Sequence, residues 1–281
     1  MKPDVSAMAK FITYRTGFRG GTAVILGSGL GSFADQLADP VVLPYGDIPD
    51  YPRSTVAGHS GELVAGNLRG NPLIVAKGRF HFYEGYDYHT VTLPIRLFRE
   101  LGVSNLIITN AAGSMKPETP PGNLMLIKGH MDCTFRHGVE LPRRFTGHPY
   151  HNPGLLKLAK TAAGRAAVPL GEGIYCWVFG PAYETPAEIS FFRELGGDAV
   201  GMSTVPEILS AAECGIPTLA ISTLTNYAAG ISDKPLTHEE VLETANRVKS
   251  SFIRLLTEIV VLINAGEDSQ TGKRDLLKRD S

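Results

Sequence analysis

The segment KGRFHFYEGY brings a guanidinium, an imidazole and a phenol close together in the chain. In extended backbone Arg79, His81 and Tyr83 alternate onto one face, while Phe80 and Phe82 point to the other. Arginine can bind two oxygens of a phosphate at once, and histidine donates a further hydrogen bond. The pattern therefore predicts an anion site backed by an apolar face, with a solvated edge strand as the alternative.

A glycine-rich turn, GSGLGS, follows the apolar run Thr22–Leu26. Such a turn lets backbone amides approach an anion closely, and Ser28 adds a hydroxyl donor. A dinucleotide-binding fingerprint would need glycine at Ser32 and an acidic residue at the end of a second strand. Asp47 and Asp50 lie instead among prolines, and the Gly-Lys-Ser/Thr of a P-loop is absent. A phosphate cradle and a plain strand–turn both remain open.

Three further apolar runs end in small or polar residues that could face a ligand. NAAGS follows Asn105–Thr109, and Ser203 follows Ala199–Met202. Asn226 comes soon after Thr218–Leu224. Open α/β sheets bind ligands at the carboxyl ends of their strands, and an asparagine there can donate to and accept from one planar ring. Ser203 could be a helix N-cap or a second phosphate hydroxyl.

Tyr183 and Glu184 join an aromatic face to a carboxylate just before the predicted helix Thr185–Leu195. Glu184 could simply favour the positive end of the helix dipole. Alternatively, the pair could offer a stacking platform and an acceptor for a ring N–H. His59 lies between glycines in AGHSG, a setting that by itself is more typical of a structural histidine.

Strands and helices must position these residues. Runs that are apolar on both faces predict strands of a sheet covered by helices. The predicted strands are Thr22–Leu26, Leu73–Ala76, Asn105–Thr109, Leu124–Ile127, Ile174–Val178, Ala199–Met202 and Thr218–Leu224. The predicted helices are Pro94–Leu101, Thr185–Leu195, Val205–Cys214 and His238–Asn264. The last has the clearest helical stripe of apolar residues. The fold class is therefore α/β.

Composition limits the function classes. Of 281 residues, 43% are hydrophobic and 20% charged, which is typical of a globular protein. A formal net charge of −1 provides no basic field for nucleic acid or an anionic membrane. Cys133, Cys176 and Cys214 form no CxxC pair. We therefore expect a reducing compartment, without disulfides or a structural zinc site.

Targeting and domain signals are also sparse. The first residues lack the apolar core of a signal peptide, and the apolar stretch Phe252–Ile263 is interrupted by Arg254 and Glu258. We therefore expect a cytoplasmic protein that neither spans nor binds a membrane. Residues 1–265 are predicted to form one domain, and the polar residues 266–281 a mobile tail.

Taken together, these motifs resemble those of the trimeric, low-molecular-mass class of purine nucleoside phosphorylases. The resemblance runs from residue 27 to 226 in the family's order. The matching stretches are GSGLG (27–31), GH (58–59), GRFH with YEGY (78–86), NAAG (110–113), GP with YET (180–185), AVGMSTVPE (199–207) and TN (225–226). Any one of these would be weak alone, but the first and the 200–207 run are highly specific together.

The resemblance implies a single α/β domain with a mixed central sheet flanked by helices, and a homotrimer. It assigns phosphate binding to Ser28, His59, Arg79, His81, the Ala111 amide and Ser203. It assigns the ribose to Tyr83, Met202 and His238. It assigns the base to Ala112, Gly113, Tyr183, Glu184, Val200, Gly201, Thr225 and Asn226. The implied catalytic residues are Asn226, His81 and Glu184.

The chemistry of N-glycosidic cleavage agrees with this assignment. Positive charge develops on the sugar and negative charge on the leaving purine, so phosphate itself can stabilise and capture the sugar cation. Orthophosphate is then a co-substrate, and neither cofactor nor metal is expected. Asn226 could donate to N7 of the leaving base as that atom becomes more basic. Glu184 would accept from N1–H, which inosine and guanosine have and adenosine lacks.

Three alternatives stay open at this point. A methylthioadenosine phosphorylase shares the fold, although that family has an acid where Asn226 stands. A nucleoside-binding protein without catalysis would show binding and no turnover. A nicotinamide-dependent dehydrogenase is disfavoured by Ser32.

Residues 129–152 depart from the family pattern, with GHMD in place of the usual Asp-His-Ile-Asn and an unfamiliar TFRH after Cys133. In the family this stretch sends an aromatic residue into the neighbouring subunit's ribose pocket. Phe135, Phe145 and Tyr150 are the candidates here. The base platform is Tyr183, where phenylalanine is common.

Overall fold

The computed structural model describes residues 3–54, 60–136, 138, 141–232 and 238–277, with the backbone alone for 238–242 and 266–277. Its helices are α1 (Val5–Thr16), α2 (Tyr88–Val91), α3 (Leu93–Glu100), α4 (Pro153–Ala166), α5 (Pro186–Glu194), α6 (Val205–Glu213) and α7 (His238–Leu277). Its strands are β1 (Gly21–Ile25), β2 (Ala38–Pro44), β3 (Glu62–Leu68), β4 (Asn71–Lys77), β5 (Val103–Ser114), β6 (Leu124–Asp132), β7 (Arg144–Thr146), β8 (Leu170–Trp177), β9 (Ala199–Gly201) and β10 (Thr218–Tyr227).

The strands form one mixed sheet in the order β10-β6-β8-β9-β5-β1-β4-β3-β2, with β7 beside β6. Because β10 also pairs with β5, five of these strands close into a ring, and β1, β4, β3 and β2 extend from it as an open sheet. Strands β1, β4, β5 and β10 run parallel to one another. Their carboxyl ends therefore meet at one edge, where ligands are bound in sheets of this kind.

Helices cover both faces of the sheet, as the apolar runs predict. Ala23 and Ile25 of β1 pack into a core shared with α1, α3 and α6. The intervening Val24 packs into a second core shared with α4 and α7. Alternate residues of one strand are thus buried on opposite sides. The predicted α/β class with a mixed, helix-flanked sheet is confirmed.

All of the predicted strands and helices overlap elements of the structure. Three strands and two long helices lie outside the predicted set. Strand β2, for example, is an edge strand whose residues are mostly exposed, so it lacks a buried apolar run. Helix α4 begins at Pro153, with the Asn152 side chain accepting from Leu155 N. Polar edge strands and alanine-rich helices have weak hydrophobic periodicity, which explains why these elements escape the pattern.

Two boundaries differ from the predicted ones in ways that affect the site. The NAAGS and TN segments are not loops, because β5 runs on to Ser114 and β10 to Tyr227. Pairing between these two strands continues through the segment, with an irregularity between Leu224 and Asn226. The site residues of both strands are therefore held by ladder hydrogen bonds.

Helix α7 continues to Leu277, past the predicted end at Asn264. Charged residues of good helix propensity extend it beyond its apolar stripe. The division into a domain of residues 1–265 and a mobile tail of 266–281 stays a prediction. In the part of the chain that the structure describes, no helix is both long and apolar enough to cross a membrane.

Candidate active site

One cavity opens at the edge where the parallel strands end. Its lining consists of Gly27, Ser28, Arg79, His81, Tyr83, Ala111, Ala112, Gly113, Tyr183, Glu184, Val200, Gly201, Met202, Ser203, Thr225, Asn226, Ala228 and Ala229. Every predicted site residue whose side chain is described is among them. His59 lies outside the described residues, and only the backbone of His238, the first residue of α7, is described. Gly27, Ala228 and Ala229 were not predicted.

Two groups of side chains share this cavity. The anion cluster consists of Ser28, Arg79, His81, Ala111 and Ser203. The base cluster consists of Tyr183, Glu184, Thr225 and Asn226. In each cluster the residues come from separate segments of the chain.

Arg79 is the most buried member of the anion cluster, at 2% exposure. Its Nε lies 3.2 Å from Glu207 Oε1, a carboxylate of α6 that is equally buried. Its Nη1 donates to Ser203 Oγ at 3.1 Å, and its Nη2 donates to the Thr109 carbonyl at 2.7 Å. These bonds fix the plane of the guanidinium before any ligand arrives, and Glu207 balances its charge.

The turn from β9 into α6 has strained backbone. Thr204 has φ 76° and ψ −47°, and Val205 N donates to Ser203 O at 2.9 Å, which defines a γ-turn. Left-handed backbone is costly for a β-branched residue and persists only where its surroundings hold it. Asn110 Nδ2 donates to Thr204 Oγ1 at 2.8 Å and supplies such a contact. The turn directs Ser203 toward Arg79.

His81 is oriented by its own turn. Its Nδ1 lies 3.0 Å from Glu84 Oε1, and its backbone N–H donates to the same oxygen at 2.8 Å. The Tyr83 ring stacks on the imidazole with centroids 4.6 Å apart. His81 itself has extended backbone, but the predicted extended chain is wrong beyond it, because Phe82–Glu84 form a 3-10 turn. That turn brings Tyr83 to the cavity.

Tyr83 and Met202 lie beside each other on the side of the cavity assigned to the sugar. Burial raises the pKa of Tyr83 to about 12, so its hydroxyl keeps its proton at neutral pH. Gly180 leaves room for Tyr83 and Met202 to lie side by side. A Cβ at this position would overlap the Met202 sulfur and lie 3.2 Å from the Tyr83 ring. Its φ of 68° also favours glycine.

Asn226 is held by short-range bonds in the base cluster. Thr225 Oγ1 donates to its Oδ1 at 2.9 Å, and its Nδ2 donates to the Tyr227 carbonyl at 3.0 Å. One Nδ2 hydrogen therefore remains for a ligand. A Cβ on Gly113 would lie 3.1 Å from Asn226 Nδ2, which is why β5 has glycine at this point.

Glu184 and Tyr183 complete the base cluster from the loop before α5. Burial raises the pKa of the Glu184 carboxyl, with a smaller opposing effect from a backbone N–H. Glu184 lines the cavity, which is the position that a ligand-facing carboxylate requires. Thr185 and Glu188 form the capping box of α5 instead. Tyr183 is 54% exposed, so one face of the platform meets solvent.

Sequence reasoning gave no role to Glu207, Asn110 or Glu84, which support the cavity from outside its lining. Glu207 gave no distinct signal, because a glutamate in the first turn of a helix is already favoured by the helix dipole. Asn110 and Glu84 act through tertiary contacts and local turns that spacing alone does not show. No cluster of His, Cys, Asp and Glu suited to a metal ion occurs in the described ranges.

The divergent 129–152 segment packs around a buried histidine pair. His130 Nδ1 lies 2.9 Å from His151 Nε2, and burial lowers their pKa values to about 3 and about 4. Phe145 stacks on His130 at 5.3 Å, and Tyr150 meets the same ring edge-on at 5.5 Å. These two aromatic candidates therefore pack within their own chain, whereas Phe135 is 45% exposed.

Comparison with known proteins identifies the family. Residues 22–261 match the model of the phosphorylase superfamily. The purine nucleoside phosphorylase 1 of Geobacillus stearothermophilus is 46% identical over 84% of this chain and 89% of its own length. A schistosome purine nucleoside phosphorylase in complex with hypoxanthine superimposes with a TM-score of 0.83 at 35% identity, covering 92% of this chain and 96% of that one. A Schistosoma mansoni structure with adenosine gives the same TM-score, identity and coverage.

The family match extends over most of the chain, and the relatives at this level of identity are purine nucleoside phosphorylases. Their enzyme class is the pentosyl transferases. The chain therefore belongs to the phosphorylase superfamily, as a member of its purine nucleoside phosphorylases.

Proposed function

We propose that this enzyme cleaves 6-oxopurine nucleosides such as inosine and guanosine, using orthophosphate, to the free base and ribose or deoxyribose 1-phosphate. One observation carries the proposal: the anion cluster and the base cluster line a single cavity, with Tyr83 and Met202 beside them. That arrangement suits phosphate, a purine ring and the sugar that joins them. The reaction would serve purine salvage.

The anion cluster would hold phosphate against the sugar. Arg79, His81 and Ser203 supply donors of different geometry, and the Ala111 amide and Ser28 add neutral ones. As the N-glycosidic bond lengthens, positive charge develops at C1′, and the bound dianion stabilises it. One phosphate oxygen then bonds to C1′ while the bonding pair leaves with the base. His59 and His238 belong to the proposed site as phosphate and ribose ligands.

The base cluster would stabilise the charge that leaves with the purine. Asn226 donates its remaining N–H to N7, and this bond strengthens as N7 gains charge. Thr225 orients the amide so that nitrogen, not oxygen, meets the ring. Glu184 accepts from N1–H, and Tyr183 with Val200 covers the ring faces. Ala112, Gly113 and Gly201 leave room for the ring beside the backbone.

Specificity would follow from the Glu184 carboxylate. A site built to hydrogen-bond an N–H discriminates strongly against a ring without it, because its buried acceptor would be left unpaired. Hypoxanthine in one schistosome relative agrees with this preference, whereas adenosine in the other shows that related sites admit a 6-amino ring. Binding of adenosine and its turnover must therefore be measured separately.

The test is base release from inosine, guanosine, adenosine and methylthioadenosine, each with and without orthophosphate. Phosphate-dependent release of hypoxanthine and guanine, with adenosine turned over at least 100-fold more slowly, would support the proposal (about 2.7 kcal/mol). Efficient turnover of methylthioadenosine would show a phosphorylase of different specificity. Release without phosphate would show a hydrolase, and binding without turnover an inactive relative. Each of the last three outcomes would overturn the proposal.

We further propose that the enzyme works as a cytoplasmic homotrimer without a cofactor. Phe135, exposed at 45%, and Leu141, exposed at 64%, offer apolar contacts beside the 129–152 segment, and Phe135 is the candidate left to reach a neighbouring site. Sedimentation equilibrium would test the trimer. Full activity after exhaustive dialysis against a chelator would support the absence of a metal cofactor.

A further inference from the structure

Arg136, in the segment that departs from the family pattern, lies among three aromatic rings. Its Cζ is 4.6 Å from the ring centroid of Trp177, 5.9 Å from that of Phe82 and 6.0 Å from that of Tyr88. A guanidinium within about 6 Å of a ring centroid is attracted by the ring's electrostatic field, more strongly when water is excluded. The Arg136 side chain is only 21% exposed, so these contacts are largely shielded.

The charge of Arg136 is anchored to the sheet. Its Nη2 lies 3.4 Å from Asp132 Oδ2, and Asp132 is the last residue of β6. The other carboxylate oxygen of Asp132 accepts from Thr134 N at 3.0 Å and from Thr134 Oγ1 at 2.6 Å. Asp132 therefore contacts both the start of the loop, at Thr134, and the guanidinium of Arg136. These contacts restrict the position of the Arg136 side chain.

The Phe82 ring connects this arrangement to the active site. Phe82 stands between His81 and Tyr83, which both line the cavity. Its own ring packs instead against Trp177 and Phe179, with centroids 5.5 Å away in each case. The 3-10 turn that presents His81 and Tyr83 is thus fixed internally by Glu84 and externally by Phe82.

We propose that Arg136 is a positioning residue, which clamps Phe82 against Trp177 and so sets the placement of His81 and Tyr83. The inference rests on the proposed function, since His81 and Tyr83 are taken as phosphate and ribose ligands. This proposal assigns a role to the unfamiliar TFRH sequence. Its Arg136 contacts Phe82 and Trp177, and it does not touch the substrate.

Removal of the clamp should loosen the turn without removing any group that touches substrate. We expect Arg136→Ala to raise the KM values for inosine and phosphate about tenfold, with kcat changed less than about threefold. Arg136→Lys keeps the charge but loses the planar stacking surface, so its KM values should lie between those of the wild type and of Arg136→Ala. Arg143→Ala, at an exposed arginine of the same segment, is the matched control and should stay near wild type.

Fluorescence gives a readout that does not depend on turnover. Trp177 is the single tryptophan of the chain, so its emission reports on the clamp directly. Titration of the wild-type enzyme with inorganic phosphate, and separately with inosine, should change this emission as His81 and Tyr83 engage the ligand. In Arg136→Ala that response should be lost, while it persists in Arg143→Ala.

A double-mutant cycle with Phe82→Leu tests the route of the effect. If Arg136 acts through Phe82, the double variant should be no worse than the more impaired single variant, so the effects will not add. Additive effects would overturn the proposal, as would an Arg136→Ala enzyme indistinguishable from Arg143→Ala in both KM and emission. If Arg136→Ala fails to fold, the KM values of Arg136→Lys for inosine and phosphate decide the matter. Wild-type KM values in Arg136→Lys would then overturn the proposal. An enzyme inactive on inosine would refute the proposed function alone, because the phosphate-induced emission change still tests the clamp.

Discussion

Arg79 and Glu184 face the same cavity but are held in opposite ways. Arg79 is almost fully buried, and Glu207, Ser203 and the Thr109 carbonyl already bind its guanidinium. The backbone next to it is strained at Thr204 and pinned by a side-chain hydrogen bond. Folding itself thus assembles the anion cluster, and packing of the surrounding core offsets the free energy of the strained backbone.

The base cluster is left more open. Glu184 is partly exposed, burial already raises the pKa of its carboxyl, and Tyr183 is more than half exposed. The side-chain amide of Asn226 is hydrogen-bonded to Thr225 and Tyr227, its two sequence neighbours. The Asn226 side chain thus depends on local bonds, in contrast to the long-range bonds that hold Arg79.

The contrast has a physical origin. A phosphate dianion is strongly hydrated, so the protein must offer preorganised donors that replace its water shell at once. A purine ring is apolar on both faces and binds through its faces and a few edge atoms. Selectivity for the ring then comes from the cost of leaving an edge group unpaired, which needs no strained scaffold.

The largest expected effect tests whether folding really assembles the anion cluster. Glu207→Ala leaves the Arg79 charge buried and unpaired, so it should lower the free energy of unfolding by about 3–5 kcal/mol. Urea unfolding followed by circular dichroism would measure this. Glu62→Ala is the control, since the Glu62–Lys77 pair has similar length, 2.8 Å, but is partly exposed. That change should cost only about 0–1 kcal/mol. Equal losses in the two variants would show that the ion pair does not hold the cluster.

A second prediction concerns the base cluster, where catalysis and not stability should suffer. Asn226→Ala removes a donor that is strongest in the transition state, so kcat should fall about 10²–10³-fold. The free energy of unfolding should change by less than about 1 kcal/mol. Asn67→Ala, at an exposed asparagine of β3, is the control for the amide deletion. A raised KM with normal kcat would show that Asn226 only binds the base.

The sequence predicts the base cluster better than the supports of the anion cluster. Tyr183, Glu184 and Asn226 stand at strand or helix ends, where residue type and position already indicate ligand contact. The apolar runs likewise predict the parallel core, because strands buried on both faces have a strong pattern.

The supports behind Arg79 had no comparable signal. The Glu207 and Asn110 contacts join segments far apart in the chain, and the γ-turn at Thr204 depends on those contacts. Edge strand β2 and the turn at Phe82–Glu84 were missed for a different reason, because neither has a repeating apolar pattern. Periodicity reports burial, but it does not report which buried polar groups meet.

A smaller effect should follow from loosening the strained turn. Asn110→Ala removes the bond to Thr204 Oγ1, so Ser203 should lose its fixed direction. We expect the apparent KM for phosphate to rise about tenfold (about 1.4 kcal/mol), with the KM for inosine unchanged. Asn105→Ala, in the same strand, is the matched control. A rise in both KM values would mean that the two clusters do not behave independently.

The smallest predicted effect is a pH dependence confined to the base cluster. Burial raises the pKa of Glu184, so its carboxylate takes up a proton at a higher pH than an exposed glutamate would. The protonated form is a poor acceptor for N1–H. Consequently kcat/KM for inosine should fall as the pH drops through that raised pKa, by less than about tenfold for each pH unit.

Glu184→Gln separates this titration from all others, including that of phosphate. Glutamine does not ionise, so the variant should be slower than wild type at neutral pH but should lack the Glu184 contribution to the acid limb. The ratio of wild-type to variant kcat/KM, measured at saturating phosphate in the same buffers, should therefore decline toward acid pH. A constant ratio would show that Glu184 does not titrate over this pH range in the enzyme–phosphate complex that binds inosine. Burial would then not distinguish the Glu184 carboxylate from an exposed one, and this part of the contrast between the two clusters would be lost.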